Sequence, residues 1–207
     1  MSSAETESSA AERREALKEV FSRASVCERC PELAATRKTV VFGSGNADAE
    51  LMFIGEAPGA SEDEQGIPFV GRAGKLLEKL LVEVGLERSE VFVANTLQCR
   101  PPGNRDPLPI ELENCHEYLL RKVELIQPTV ICTLGNFSTK LLRGDPTGIT
   151  RLHGQPQILT LGAPEQPQPS EMAEPDALPD VVDAVDPPEL AAEAVEEGLE
   201  PDQLGLF

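Results

Sequence analysis

Four of the five cysteines are spaced as Cys27-x2-Cys30 and, after a gap of 68 residues, Cys99-x15-Cys115. Four soft thiolates drawn from two separate segments can close a sulfur cage around an iron-sulfur cluster or a zinc ion, and little else calls for that arrangement. Such a cage ties the amino-terminal segment onto the middle of the chain. An odd cysteine total, with ligands that a reducing compartment preserves, favours ligation over disulfides. The fifth, Cys132, lies in the apolar run Val130-Ile131-Cys132-Thr133-Leu134 and reads as a small buried hydrophobe.

Charge is spread unevenly over the 207 residues. All 18 Lys and Arg lie at or before Arg151, while 13 of the 36 acidic residues follow it, so the net −18 divides into −5 and −13. The average therefore understates how readily the first part could meet a polyanion, and positive charge recurs locally at Arg100 and Arg105. Six Lys against 12 Arg, with abundant Asp and Glu, would also suit concentrated salt. No apolar run approaches the length of a membrane span, and residues 1–10 lack the basic start and apolar core of a signal peptide. The expectation is a soluble cytoplasmic protein.

Residues 11–25 place Leu17, Val20 and Phe21 on one helical face, leading into Cys27. Beyond them, short apolar runs at 51–54, 91–94 and 129–134 alternate with helix-like stretches at 72–84, 109–127 and 136–143. Buried strands alternating with helices predict a three-layer α/β/α sandwich with a mostly parallel central sheet. After about Leu161 the chain turns acidic and Pro-rich, with nine of its 18 prolines in 154–207. That composition buries too little apolar surface to offset the entropy of ordering. The reading is a folded unit over 11–161 and a disordered tail over 162–207, with a transient helix at 188–198.

Two stretches hold the candidate chemistry. The first, from Gly55-Glu56-Ala57-Pro58-Gly59 through Glu62, Asp63, Glu64 and Phe69 to Gly71 and Gly74, follows the first strand of the alternating pattern. The carboxyl ends of strands in open sheets are where ligands usually sit, and glycines let a backbone come close to one. Its residue types fit a solvated surface loop equally well. The second is Asn95-Thr96-Leu97-Gln98-Cys99-Arg100-Pro101-Pro102-Gly103-Asn104-Arg105-Asp106-Pro107.

Together with the cysteine spacing, the Thr133-Leu134-Gly135 strand end and Leu152-His153-Gly154-Gln155, these stretches resemble the type-4 uracil-DNA glycosylases, the iron-sulfur branch of the uracil-DNA glycosylase superfamily. The resemblance runs from about Cys27 to Gln155. It implies a hydrolase that removes uracil from DNA in base-excision repair. It further implies that Phe69 stacks on the flipped base and that Asn95 pairs with it through an amide offering donor and acceptor side by side. Glu56 and Ala57 match the pocket wall, where a carboxylate disfavours the methyl of thymine. Glu62 matches the acid that positions water and faces the positive charge developing on the sugar, with Asp63 and Glu64 as chemically equivalent neighbours. Cys27, Cys30, Cys99 and Cys115 match the ligands of a [4Fe-4S] cluster, although zinc would satisfy the same thiolates. Arg100 and Arg105 are candidates for DNA phosphates.

The resemblance also implies a further strand and a His-Pro motif whose His donates to the departing uracil. This chain has only His116 and His153, neither followed by Pro, and continues from Gln155 as Pro156-Gln157-Ile158-Leu159-Thr160-Leu161. The expectation is a sheet shortened at its carboxyl end and, as an alternative function, an iron-sulfur DNA- or uracil-binding member with impaired catalysis. A zinc-stapled interaction module is the third reading. The terminal Gln203, Leu204, Leu206 and Phe207 resemble a bacterial peptide that binds the sliding clamp, so the expected partners are uracil-containing DNA and a clamp, met by a monomer.

Overall fold

The structure is a computed structural model that describes residues 10–159. The acidic tail, its helix at 188–198 and the terminal peptide lie outside the described residues. In chain order the elements are α1 (Ala10–Ser25), α2 (Pro31–Thr36), β1 (Ser44–Gly45), β2 (Leu51–Gly55), α3 (Ala60–Gln65), α4 (Arg72–Glu83) and β3 (Phe92–Asn95). They continue with a 3-10 turn (Pro102–Asn104), α5 (Pro109–Ile126), β4 (Val130–Thr133), α6 (Asn136–Arg143) and α7 (Ile149–Leu152).

The sheet order is β1-β3-β2-β4, with β2 parallel to both β3 and β4 and only β1 antiparallel. Strand residues alternate between its two faces. Met52, Ile54, Phe92 and Ala94 join Leu17, Val20 and Ala24 of α1 and Tyr118, Leu119, Val123 and Ile126 of α5 in one apolar cluster. Phe53, Val91 and Val93 join Leu77 and Leu81 of α4 in a second. Helices thus cover both faces, which is the three-layer sandwich expected from the alternation of apolar runs. Each fully buried side chain such as Leu17 or Leu119 contributes roughly 1.5–3 kcal/mol through lost water contact. Among the described residues β4 is an outer strand, and Val130 on it is 53% exposed.

The short elements have local causes. In α3 the sequence ASEDEQ carries no apolar period, but Glu62 and Asp63 fall in the first turn, where the helix dipole favours negative charge. Gly66 then closes it in the left-handed conformation with φ 72°, its N–H bonding to the Glu62 carbonyl. The strand β1 is two residues long and runs against β3 because Gly45 lies on its backbone. A Cβ at Gly45 would stand 2.0 Å from the Val91 carbonyl oxygen.

Candidate functional site

Parallel pairing places Gly55 opposite Asn95 at the carboxyl ends of β2 and β3. Asn95 is buried, and its amide oxygen stands directly over Gly55. A Cβ there would meet Asn95 Oδ1 at 2.5 Å and the Phe69 ring at 2.6 Å. The missing side chain is therefore what lets an aromatic face and a carboxamide converge on one spot. Phe69 holds a left-handed backbone with φ 58°, a conformation that costs of order 1 kcal/mol or more for a residue with a Cβ. The packing that imposes it is visible in α4. A Cβ on Gly74 would lie 1.7 Å from the Phe69 carbonyl oxygen, so helix and turn are in backbone contact.

Glu62 reaches from α3 to the same turn. Its Oε1 accepts the backbone N–H of Gly71 at 2.7 Å and of Val70 at 3.1 Å, which locks the two residues that follow Phe69. Gly59 and Gly71 leave room for it, since Cβ atoms there would approach the carboxylate to 2.8 and 3.0 Å. Oε2 has no hydrogen-bond partner among the described residues, so one oxygen is structural and the other is available to a ligand or water. The neighbouring acids are engaged elsewhere. Asp63 is buried and accepts the N–H groups of Lys38 at 3.0 Å and Thr39 at 3.4 Å, while exposed Glu64 pairs with the Lys38 ammonium. Structure separates three carboxylates that sequence left equivalent.

Glu56 follows Gly55 on the rim of the site. Its backbone carbonyl accepts the Leu97 N–H at 3.0 Å, and its carboxylate lies near Gly135, whose Cβ would stand 3.7 Å from Oε2. Burial, and secondarily the charge of Asp106, pushes the Glu56 carboxyl above its ordinary range. Ala57 packs against Leu33, Leu97 and Leu112 together with Cys30, Cys99 and Cys115. The segment 55–57 thus runs from the Phe69–Asn95 opening to the cysteines within two residues.

Cys27, Cys30, Cys99 and Cys115 all line one cavity, with Arg29, Leu33, Arg37, Leu97 and Asn114, and none is in a disulfide. Three of the four thiols meet a side-chain donor. Arg37 Nη1 reaches Cys99 Sγ at 3.3 Å, Asn114 Nδ2 reaches Cys30 Sγ at 3.5 Å, and Gln98 Nε2 reaches Cys115 Sγ at 3.8 Å. Donors directed at sulfur are the surroundings that thiolates bound to metal require. No three Cys, His, Asp or Glu groups among the described residues stand close enough to hold a single metal ion. Four thiols on one cavity are a donor set that either an iron-sulfur cluster or a zinc ion accepts.

Burial pushes Cys115 up to about 12 and raises Cys99 and Cys30 as well. Thiols raised in this way stay protonated at neutral pH.

Arg105 is committed to the protein. Its guanidinium forks onto both oxygens of buried Glu111, at 2.7 and 3.0 Å, and also reaches Glu32 at 2.9 Å. It thereby joins the segment after Cys30 to α5, which carries Cys115. Arg100 donates Nε to Asn104 Oδ1 at 2.7 Å across the Pro-Gly turn. Arg37, Gln98 and Asn114 escaped sequence reasoning because they surround the cysteines only in space. Gln98 and Asn114 did carry a signal, each standing immediately before a cage cysteine.

Comparison with known proteins decides the lineage. The model of the Uracil DNA glycosylase superfamily matches residues 42–178, about two thirds of the chain. The chain belongs to that superfamily. Among named relatives, a type-4 uracil-DNA glycosylase of Thermotoga maritima is 45% identical over 145 residues, covering 69% of this chain and 75% of the relative. Enzymes of the same name from Archaeoglobus fulgidus and Saccharolobus solfataricus are 47% and 53% identical over 128 and 117 residues. Those matches cover 62% and 56% of this chain, and 64% and 54% of the relatives. The chain thus spans about half to three quarters of the length of these curated relatives. The superfamily match includes β2, β3, β4 and the whole Gly55–Phe69–Asn95 site, which accounts for the three-layer fold. No helix among the described residues is long and apolar enough to cross a membrane.

Proposed function

We propose that this chain is a DNA glycosylase that hydrolyses the N-glycosidic bond of deoxyuridine in DNA, releasing uracil and leaving an abasic site. The observation that carries the reading is the convergence of the Phe69 ring and the Asn95 amide over the bare backbone of Gly55. A base swung out of its strand needs a π-face to stack on and a donor–acceptor edge to pair with, and this spot supplies both. The relatives' shared name, type-4 uracil-DNA glycosylase, supports uracil as that base.

Bond cleavage proceeds in one balanced exchange. The C1′–N1 bond breaks with its electron pair leaving on uracil, a water oxygen bonds to C1′, and the water's proton ends on solvent or on the released base. Glu62 acts at two points. Oε1 holds the Val70–Gly71 turn that fixes Phe69, and Oε2 orients water and offsets positive charge on the sugar. Glu56 and Ala57 close the wall against a methylated base. Buried Asn95 exchanges few contacts with solvent, so a base that fails to satisfy its amide leaves polar atoms unpaired.

Cys27, Cys30, Cys99 and Cys115 would hold a [4Fe-4S] cluster, which when bound supplies a rigid brace under the loop that presents Asn95 and under Ala57. Arg100 is the better placed of the two arginines for a DNA phosphate, because Arg105 already has two carboxylate partners. The terminal Gln203, Leu204, Leu206 and Phe207 serve as a sliding-clamp handle for an enzyme that acts as a monomer.

A second reading is a family member with impaired catalysis. His116 sits on α5, and exposed His153 contacts the Thr150 carbonyl at 3.1 Å. In that reading the protein binds uracil-containing DNA without turning it over. Incubation at enzyme excess with a uracil-containing single-stranded oligonucleotide in high salt, followed by alkaline cleavage, separates the two. Strand scission supports the glycosylase, and Asn95→Ala is expected to slow it by on the order of 10²-fold or more. Retained binding without scission supports the second reading.

A further inference from the structure

The donors around the four cysteines differ in charge. Asn114 and Gln98 are neutral groups, each meeting one thiol. Arg29 also lines the cavity, but its guanidinium is matched by Glu117 at 2.7 Å. Lys122, whose charge acts on Cys115, is fully buried with its ammonium on the Phe42 carbonyl. Arg37 differs from both in bonding a cysteine sulfur directly. Its contacts are the Cys27 carbonyl at 2.7 Å, Cys99 Sγ at 3.3 Å and the Ser25 carbonyl at 3.5 Å, with no carboxylate partner among the described residues.

A half-buried guanidinium without a carboxylate is costly unless something anionic faces it. The charge-assisted bond to sulfur supplies that role once the thiols are metal-bound thiolates. The same Nη1 joins the amino-terminal arm, through Cys27, to the arm that carries Asn95, through Cys99. Its backbone is fixed as well, because Arg37 caps α2 with its N–H on the Leu33 carbonyl.

We propose that Arg37 is the positioning residue of the cage: it fastens Cys99 to the Cys27 arm and, as a cation bonded directly to a cage sulfur, raises the reduction potential of the cluster. The inference rests on the cluster assigned under the proposed function. A cluster held by four thiolates is anionic and becomes more so on taking up an electron. A cation bonded to one of its sulfurs therefore stabilises the reduced form more than the oxidised form. The neutral donors shift the couple less.

The test is an EPR-monitored or protein-film reductive titration of the full-length, cluster-loaded protein beside Arg37→Gln and Arg37→Lys. Arg37→Gln is expected to retain sulfur-to-iron visible absorbance while its one-electron equilibrium moves at least tenfold toward the oxidised form, which is about 59 mV. Arg37→Lys keeps the charge but cannot span both acceptors with a planar fork, so a smaller shift in the same direction is expected. A potential equal to the parent's in Arg37→Gln overturns the proposal. If Arg37→Gln takes up no cluster, the same titration on Arg37→Met, which also removes the charge, decides: a downward shift supports the role and the parent's potential overturns it. A parent protein without sulfur-to-iron absorbance would instead defeat the cluster reading itself.

Discussion

Glu56 follows β2 and Glu62 stands six residues on, in the first turn of α3, and their surroundings differ. Oε1 of Glu62 is held by two backbone N–H groups and Oε2 is open, so Glu62→Gln preserves an acceptor for the Val70–Gly71 turn while removing the charge. Single-turnover kinetics should show excision slowed by on the order of 10²–10³, with the thermal midpoint unchanged. A large fall in that midpoint would show that the carboxylate is chiefly structural. For Glu56, burial raises the folded-state value above that of the unfolded chain. Folding then favours the protonated form, so this group's contribution is greatest below the ordinary carboxylate range and is lost as pH rises through the raised value. Glu56→Gln should therefore flatten the stability change between mildly acidic and neutral pH, measured as thermal midpoints in a buffer series. An unchanged profile would contradict that environment.

At the scale of elements, the arm that carries Cys30 is held to α5 by the Arg105 fork as well as by any metal. Burial alone would raise the Glu111 carboxyl, but the Arg105 guanidinium and the Leu108 N–H outweigh it and hold the value below the ordinary range. Glu111 thus stabilises the fold above the unfolded-state value, and that contribution disappears as pH falls through the lowered one. Arg105→Ala leaves a buried carboxylate unpaired and should cost roughly 2–3 kcal/mol, with acid unfolding beginning at a higher pH. Acid-unfolding curves that superimpose on the parent's would rule the staple out. The long elements around this staple were legible in sequence because β2, β3 and β4 are uninterrupted apolar runs and because α1, α4 and α5 repeat apolar residues at helical spacing. What stayed hidden was short or spatial. Only coordinates reveal the capping that makes ASEDEQ a helix, the glycine contact that makes Ser44–Gly45 a strand, or the capture of Arg105 by Glu32 and Glu111.

Over the whole molecule, two constructions share one wall. The sheet's carboxyl edge presents Gly55, Asn95 and Phe69, and the cysteine cavity adjoins it through Ala57 and Leu97. That two segments converge on one cavity was legible in the cysteine spacing. The glycine over which Phe69 and Asn95 meet was visible only as one of several in a Gly-rich stretch. The proposed role of this spot is to receive uracil for excision. Its most direct test is mass-spectrometric detection of free base after mixing excess protein with oligonucleotides that differ only in carrying uracil or thymine. Near-stoichiometric release of uracil, with no thymine, is the expected result. Absence of free uracil at enzyme excess, or equal release of both bases, would contradict the claim.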